Sequence, residues 1–144
     1  MALSAIIAWA LIAVFVALSL VHVYWLVGGE VGRLAAIPEI DGTPVFQPST
    51  LSTFVVAMGL AMCPLLIAAT AGILTLPLSH AVLAWLTRAL AVVLLLRAIG
   101  DFRFVGFFKR SHHSRFARLD TAVYSPLCLV LAIGAALVGF SEPG

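Results

Sequence analysis

The fold is decided by residues 2–27, which read ALSAIIAWALIAVFVALSLVHVYWLV and contain no Asp, Glu, Lys or Arg. About 20 predominantly apolar residues are enough for a helix to cross the hydrocarbon core of a bilayer. The stretch lacks the basic first segment and the small-residue cleavage site that are typical of a signal peptide. We therefore predict a permanent transmembrane helix over about residues 2–27.

The same scarcity of charge continues along the chain and predicts three more spans. Residues 43–87 carry no formal charge, and the sequence Leu-Pro-Leu-Ser at 76–79 divides this long run in two. The apolar stretches then predict helices over about 51–76, 80–99 and 121–140. The expected fold class is an all-α integral membrane bundle of four transmembrane helices, forming a single domain over residues 1–144.

Composition indicates the same class of protein. Of the 144 residues, 63% are hydrophobic and 10% are charged, and the mean hydropathy is +1.18. Soluble domains carry about a quarter charged residues, so a soluble enzyme, a nucleic-acid-binding protein and a disordered chain are all poor interpretations. Cys63 and Cys128 lie at different depths in separate predicted spans, so we expect no disulfide between them.

Basic residues of the connecting segments lie on one face of the predicted bundle. The first connection contains Arg33, and the third contains five more cations: Arg103, Lys109, Arg110, Arg115 and Arg118. The positive-inside rule places both connections in the cytoplasm and both termini outside. We therefore expect a multi-pass membrane protein with its two long connections on the cytoplasmic side.

The third connection, about residues 100–120, also mixes aromatic and basic residues. The segment contains Phe102, Arg103, Phe104, Phe107, Phe108, Lys109 and Arg110. Such a mixture suits a segment at the headgroup level of an anionic membrane, with its three cations toward lipid headgroups. A solvated basic loop is the plainer alternative, and the neighbouring His112 and His113 fit a solvated loop better than a metal site.

Polar residues of the predicted helices gather at the end that carries these basic connections. Spacings of three and four residues place several of them on shared helical faces, and Arg97 and Asp101 are spaced to pair across one turn. The candidate polar layer consists of His22, Tyr24, Trp25, Arg97, Asp101, Asp120 and Tyr124.

Two interpretations of this layer remain open. Ionisable groups in or near a span often mark a ligand or proton path, and histidine is the side chain that titrates nearest neutral pH. In the structural alternative, Arg97 pairs with Asp101 and Asp120 caps the fourth helix. Tyr24 and Trp25 then belong to the interfacial aromatic belt. His22 fits that alternative least well, because it has no obvious capping role.

Arg88 is the charge expected deepest within the third span, which also contains Arg97. It lies about eight residues from the start of the predicted helix and on the face opposite Arg97. An arginine at this depth requires a partner or a route to the headgroups. The anionic candidates are Glu142 and the terminal carboxylate, and the alternatives are a carbonyl freed by Pro64 or Pro77, a lipid headgroup or another subunit. We favour snorkelling or an internal partner over a contact between subunits.

Three segments together resemble the DUF3995 family of small bacterial membrane proteins. They are His22-Val23-Tyr24-Trp25 followed by Gly28 and Gly29, Arg97–Asp101 continuing to Lys109, and Phe116–Asp120 continuing through Tyr124–Cys128. The resemblance covers almost the whole chain. It implies a four-helix integral membrane protein of about this length, in the bacterial cytoplasmic (inner) membrane, and no established biochemical function.

Two classes of function are therefore consistent with the sequence. The first is a non-enzymatic bundle that binds lipid, anionic lipid in particular, or acts as an accessory subunit of a membrane complex. The alternative is a small membrane enzyme, or a carrier of protons, quinone or another apolar ligand, that uses the polar layer. The chain contains no recognisable catalytic motif, and we expect no metal, cofactor or nucleic acid.

Overall fold

The expected all-α membrane fold is confirmed by a computed structural model, which describes residues 2–40, 43–101, 104–110 and 114–141. Within these residues, four helical segments are long and apolar enough to cross a membrane. The first three are α1 (Ala2–Leu26), α2 (Thr50–Thr70) and α3 (His80–Ile99). The fourth is continuous over Arg115–Phe140 and consists of α4 (Arg115–Leu119), a π-helical turn (Asp120–Tyr124) and α5 (Ser125–Phe140).

Two helix boundaries differ from the sequence prediction. Helix α2 ends at Thr70 rather than near residue 76, because Gly72 adopts a positive φ of 73°. The N–H of Ile73 donates to the carbonyl of Ala68 (2.8 Å) and that of Gly72 to Ala69 (3.2 Å), which is the Schellman arrangement that terminates helices. The fourth span begins at residue 115 rather than 121, because the Ser114 hydroxyl accepts the Ala117 N–H and caps α4.

The bundle is built from two close helix pairs. Helix α1 packs mainly along α2, and α3 packs mainly along α5, while contacts of α1 with α5 join the pairs. The buried core centres on Leu11, Phe15, Ile67, Ala135 and Val138. Large apolar side chains remain exposed on the outside of all four spans, as expected when lipid is the surrounding solvent.

Buried hydroxyl groups add hydrogen bonds between the helices. Ser19 Oγ of α1 donates to the Ala57 carbonyl of α2 at 3.1 Å. Thr70 Oγ1 donates to the Leu66 carbonyl, so the 2.8 Å bond between Thr70 and Thr87 has the Thr87 hydroxyl as its donor. These polar groups are therefore satisfied within the bundle, as burial requires.

The connections define two ends of the bundle. The loop end carries the described residues of the 27–49 and 100–114 connections, and the terminal end carries the start of α1, the end of α5 and the turn over 71–79. Residues 27–49 contain a 3₁₀ turn (Leu34–Ala36) and two short antiparallel strands, β1 (Glu39–Ile40) and β2 (Thr43–Pro44). This connection contacts the fourth span, because Glu39 Oε1 accepts the Arg115 N–H at 2.8 Å.

Candidate functional site

The predicted polar layer separates into two places at the loop end. One is the Asp120 cluster, which consists of Arg97, Gly106, Lys109, Asp120, Thr121 and Ser125. The other is the loop-end cleft, between the end of α1, the 3₁₀ turn and the start of α2. His22 and Trp25 line the cleft, whereas Arg97, Asp120 and Tyr124 do not.

The Asp120 carboxylate is fully buried and has four hydrogen-bond donors. Its Oδ1 accepts from Arg97 Nη2 at 2.8 Å. Its Oδ2 accepts from Lys109 Nζ at 2.9 Å, from the Gly106 N–H at 2.7 Å and from Ser125 Oγ at 3.2 Å. This donor set stabilises a buried carboxylate, and it leaves the carboxylate little capacity to act as a base.

Lys109 corrects one sequence prediction. We expected its ammonium group among lipid headgroups, but the side chain is buried and Nζ donates to Asp120 Oδ2, to the Gly106 carbonyl (2.9 Å) and to Thr121 Oγ1 (2.6 Å). All three ammonium protons thus have acceptors. Of the other two predicted headgroup cations, Arg110 is exposed and Arg103 lies outside the described residues.

Two glycines bring the loop back to Asp120. Gly100 and Gly106 have φ values of 96° and 91°, a region that glycine enters without the steric cost borne by other residues. A Cβ on Gly106 would collide with the Ile99 carbonyl, and one on Gly100 with the Val105 carbonyl. The close backbone approach places the Gly106 N–H and Lys109 beside the carboxylate.

The π-helical turn aligns the other side of the cluster. Pro126 has no N–H to donate to the Ala122 carbonyl, and its ring crowds that carbonyl, so the α-helical pattern is interrupted here. The preceding residue, Ser125, donates its N–H to the Asp120 carbonyl, five residues earlier rather than four. That spacing brings Ser125 Oγ onto the face of Asp120, which is the kind of local change that π-turns make in helices.

Arg97 and Asp101 do not form the expected one-turn pair. Helix α3 ends at Ile99, so Asp101 has left the helix, and its Oδ1 accepts the N–H groups of Phe104 (2.7 Å) and Val105 (3.0 Å). The salt bridge of Arg97 is to Asp120. Asp120 itself lies inside the fourth span and is not its cap.

The loop-end cleft has a volume of about 320 Å³ and largely apolar walls. Trp25, Ile37, Phe46 and Val56 contribute apolar surface. Trp25 Nε1 donates to the Val31 carbonyl at 2.9 Å, so its polar atom is satisfied within the connection. The indole therefore offers the cleft a hydrophobic face.

His22 is held in one tautomer at the edge of this cleft. Its Nδ1 lies 2.8 Å from the Leu18 carbonyl, and because a carbonyl only accepts, Nδ1 carries the proton. The ring packs edge-on against Trp25, with 4.8 Å between the centroids. In the neutral ring Nε2 is then a hydrogen-bond acceptor.

Arg33 is the charged side chain of the cleft. It is exposed, and no described residue accepts a hydrogen bond from its guanidinium or forms a salt bridge with it. The lining identified within the described ranges includes no Asp or Glu. In the sequence Arg33 indicates only the topology, and the one signal for it as a site residue is that it is the sole Lys or Arg of its connection.

The other predicted residues have structural positions. Tyr24 is exposed, and its ring covers Gly29, where a Cβ would collide with it. Tyr124 donates its hydroxyl to the Ala35 carbonyl at 3.2 Å, which fixes the 3₁₀ turn beside the cleft. Arg88 lies at the terminal end, away from both sites.

Arg88 has an internal partner of a different kind from those expected. Its Nε donates to the Gly139 carbonyl at 2.8 Å, near the end of α5, rather than to a carbonyl freed by a proline. Cations are favourable at helix C-termini. Glu142, the acidic candidate, lies outside the described residues.

The two sites contain no metal-binding group in the parts of the chain that the structure describes, where no three His, Cys, Asp or Glu side chains are arranged to hold an ion.

A family model described as "Protein of unknown function (DUF3995)" matches residues 15–135. The chain belongs to the DUF3995 family. The matched region contains every residue of the Asp120 cluster and of the loop-end cleft. No curated protein and no solved structure gives a match. Membership of DUF3995 therefore identifies the family but assigns no activity, because the family is described as being of unknown function.

Proposed function

We propose that this DUF3995 protein binds the headgroup of an anionic lipid in the loop-end cleft. The observation that carries the proposal is the exposed Arg33 guanidinium beside an apolar wall, with no described acidic residue to neutralise it. A guanidinium binds phosphate through paired, charge-assisted hydrogen bonds. A phosphate on Arg33 would supply the missing negative charge.

The size and position of the cleft support this ligand class. Its volume of about 320 Å³ lies at the small end of the range for ligand sites, which favours a headgroup over a whole lipid. The cleft lies at the loop end, beside the ends of α1 and α2. The exposed apolar surfaces of those helices would contact the acyl chains.

His22 and Trp25 give the cleft a second type of contact. The fixed Nδ1 proton of His22 leaves Nε2 of the neutral ring to accept a hydrogen bond from a headgroup hydroxyl. The indole of Trp25 suits the boundary between headgroup and hydrocarbon. We place the cleft in the cytoplasmic leaflet of a bacterial inner membrane, on the support of the positive-inside rule.

The enzyme or carrier alternative has less support from the geometry. The buried Asp120 carboxylate is already occupied by four donors. His22 lines a different site and has no described carboxylate bonded to it. No feature of the described residues favours a partner subunit over lipid.

Native mass spectrometry of the detergent-solubilised full chain tests the proposal. Titration with phosphatidylglycerol should give a bound lipid whose affinity falls by about tenfold in Arg33→Gln, since one charge-assisted contact is lost. Arg110→Gln is the matched control, because it removes an exposed cation from the same end. Equal losses in both variants would indicate general surface attraction and would contradict a headgroup site.

A further inference from the structure

We infer a second lipid site at the terminal end, where Arg88 binds the phosphate of a phospholipid whose acyl chain lies in a groove between α3 and α5. We call this the Arg88 groove; it is lined by Trp85, Arg88, Ala91, Val92, Leu95 and neighbouring α5 residues. It shares no residue with the loop-end cleft. The inference therefore stands independently of the proposed function.

The guanidinium of Arg88 is positioned by three contacts. Nε donates to the Gly139 carbonyl at 2.8 Å, and the guanidinium carbon lies 4.2 Å from the ring centroid of Phe140 and 5.3 Å from that of Trp85. Gly139 permits this approach, because a Cβ there would lie 3.0 Å from Arg88 Cγ. The rings and the carbonyl orient the group before any ligand binds.

Most of the hydrogen-bonding capacity of Arg88 is still unused. A guanidinium has five N–H donors, and only the Nε donor has a partner among the described residues. No described Asp or Glu forms a salt bridge with Arg88. The two terminal nitrogens are thus available to a phosphate, which they match in geometry.

The depth of Arg88 allows contact with a headgroup. Its partner Gly139 is one residue from Phe140, where α5 ends. Helix α3 begins at His80, so about 12 Å of it extends beyond the level of Arg88. The guanidinium therefore lies at the level of the end of α5, although it is two turns inside α3.

The groove that leads away from Arg88 is apolar and narrow. Ala91, Ala132 and Ala136 provide a small-residue floor, and Val92 and Ile133 stand beside it. No second charged residue lines it within the described part of the chain. A cation at one end and apolar surface along the rest complement the phosphate and acyl chain of one phospholipid.

The dimensions favour an acyl chain over a helix from another protein. From Arg88 to Leu95 the groove runs for seven residues, or about 10 Å. With a volume of about 400 Å³, its mean cross-section is on the order of 40 Å², whereas a helix with side chains is about 10–12 Å across. A helix would cover the groove without filling it.

Trp85 provides a probe inside the groove. In a chain carrying Trp9→Phe and Trp25→Phe, Trp85 is the remaining tryptophan. Phosphatidylcholine brominated on its acyl chains, added to the detergent-solubilised protein, should quench the fluorescence of Trp85. We expect the apparent affinity to fall about tenfold in Arg88→Gln. Brominated diacylglycerol has no phosphate, so half-maximal quenching should require a concentration about tenfold higher than with the phospholipid.

A second variant keeps the test valid if Arg88→Gln does not fold. Ala136→Leu leaves Arg88 in place and fills the groove, so it should weaken quenching by a similar factor. Two control variants should leave quenching unchanged: Ala89→Leu and Arg33→Gln. Ala89 is an exposed residue of α3 that does not line the groove, and Arg33 lies at the other end of the bundle. Equal quenching in all variants, or by both lipids, would overturn the site. The site would also be overturned if the protein is a dimer and Ala136→Leu makes it a monomer, because the groove would then be occupied by a second copy of the chain.

Discussion

Lys109 Nζ lies 2.9 Å from Asp120 Oδ2, and both side chains are completely inaccessible to solvent. This pair joins the connection between α3 and α4 to the fourth span, together with Arg97 from the end of α3. Breaking a buried ion pair is costly because it leaves the remaining charge without a partner. The Asp120 cluster is thus a structural centre that orders the loop end.

Replacing Asp120 by Asn should destabilise the protein strongly. The side-chain shape is retained, but the buried ammonium of Lys109 loses its counterion, at a cost of about 3–5 kcal/mol. Thermal unfolding in detergent, followed by circular dichroism, should show a large fall in Tm. Arg110→Gln, at an exposed position, should leave Tm nearly unchanged.

The double variant Lys109→Met with Asp120→Asn should be less destabilised than the two single effects combined. Once the carboxylate is neutral, removing the ammonium also removes an uncompensated buried charge. The free energies of unfolding of all four proteins give the coupling directly. Simple additivity would show that the two side chains act independently and would contradict the role assigned to the pair.

Gly106→Ala should disrupt the same cluster through the backbone. The added Cβ would collide with the Ile99 carbonyl at a φ of 91°, a conformation that costs other residues about 1–3 kcal/mol even without a collision. Gly59→Ala is the matched control, because nothing lies within 4 Å of its added Cβ and it has an ordinary helical φ. Tm should fall for Gly106→Ala and remain nearly constant for Gly59→Ala.

Glu39→Ala should loosen the contact between the two loop-end connections. The substitution removes the acceptor of the Arg115 N–H at the start of α4, so amide exchange there should accelerate while the core of α5 stays protected. Hydrogen–deuterium exchange mass spectrometry measures both regions in one experiment. Glu30→Ala removes a neighbouring exposed carboxylate as a control, and equal acceleration in that variant would refute the contact.

Both termini should lie on the side of the membrane opposite the basic connections. Reporter domains that are active only outside or only inside, fused in turn to each end of the chain in a bacterial host, measure this topology. The positive-inside rule predicts external signals from both ends. An internal signal from either end would reverse or break the proposed orientation.

The transmembrane architecture follows from local sequence, whereas the site depends on chain reversals that local patterns do not contain. Apolar run lengths were sufficient for four spans. The apolar run predicts too late an end for α2, because the positive φ of Gly72 has no hydrophobic signature. It also predicts too late a start for the fourth span, because the cap at Ser114 lies within a polar stretch.

The partners of Asp120 were missed for a similar reason. Helical spacing paired Arg97 with Asp101, but the helix ends before Gly100 and turns the loop back on itself. Lys109 and Asp120 then meet across eleven residues. A carboxylate in a span needs positive partners, and that requirement was the one available signal for Lys109.

The headgroup site at Arg33 is tested most directly by the fluorescence of Trp25, which lines the same cleft. In a chain with Trp9→Phe and Trp85→Phe, reconstituted in phosphatidylcholine vesicles, a few per cent of brominated phosphatidylglycerol should quench Trp25 several-fold more than the same fraction of brominated phosphatidylcholine. Arg33→Gln should abolish that preference, and Arg110→Gln should preserve it. Equal quenching by the two lipids in the parent chain, or a preference that survives Arg33→Gln, would contradict headgroup binding in the cleft.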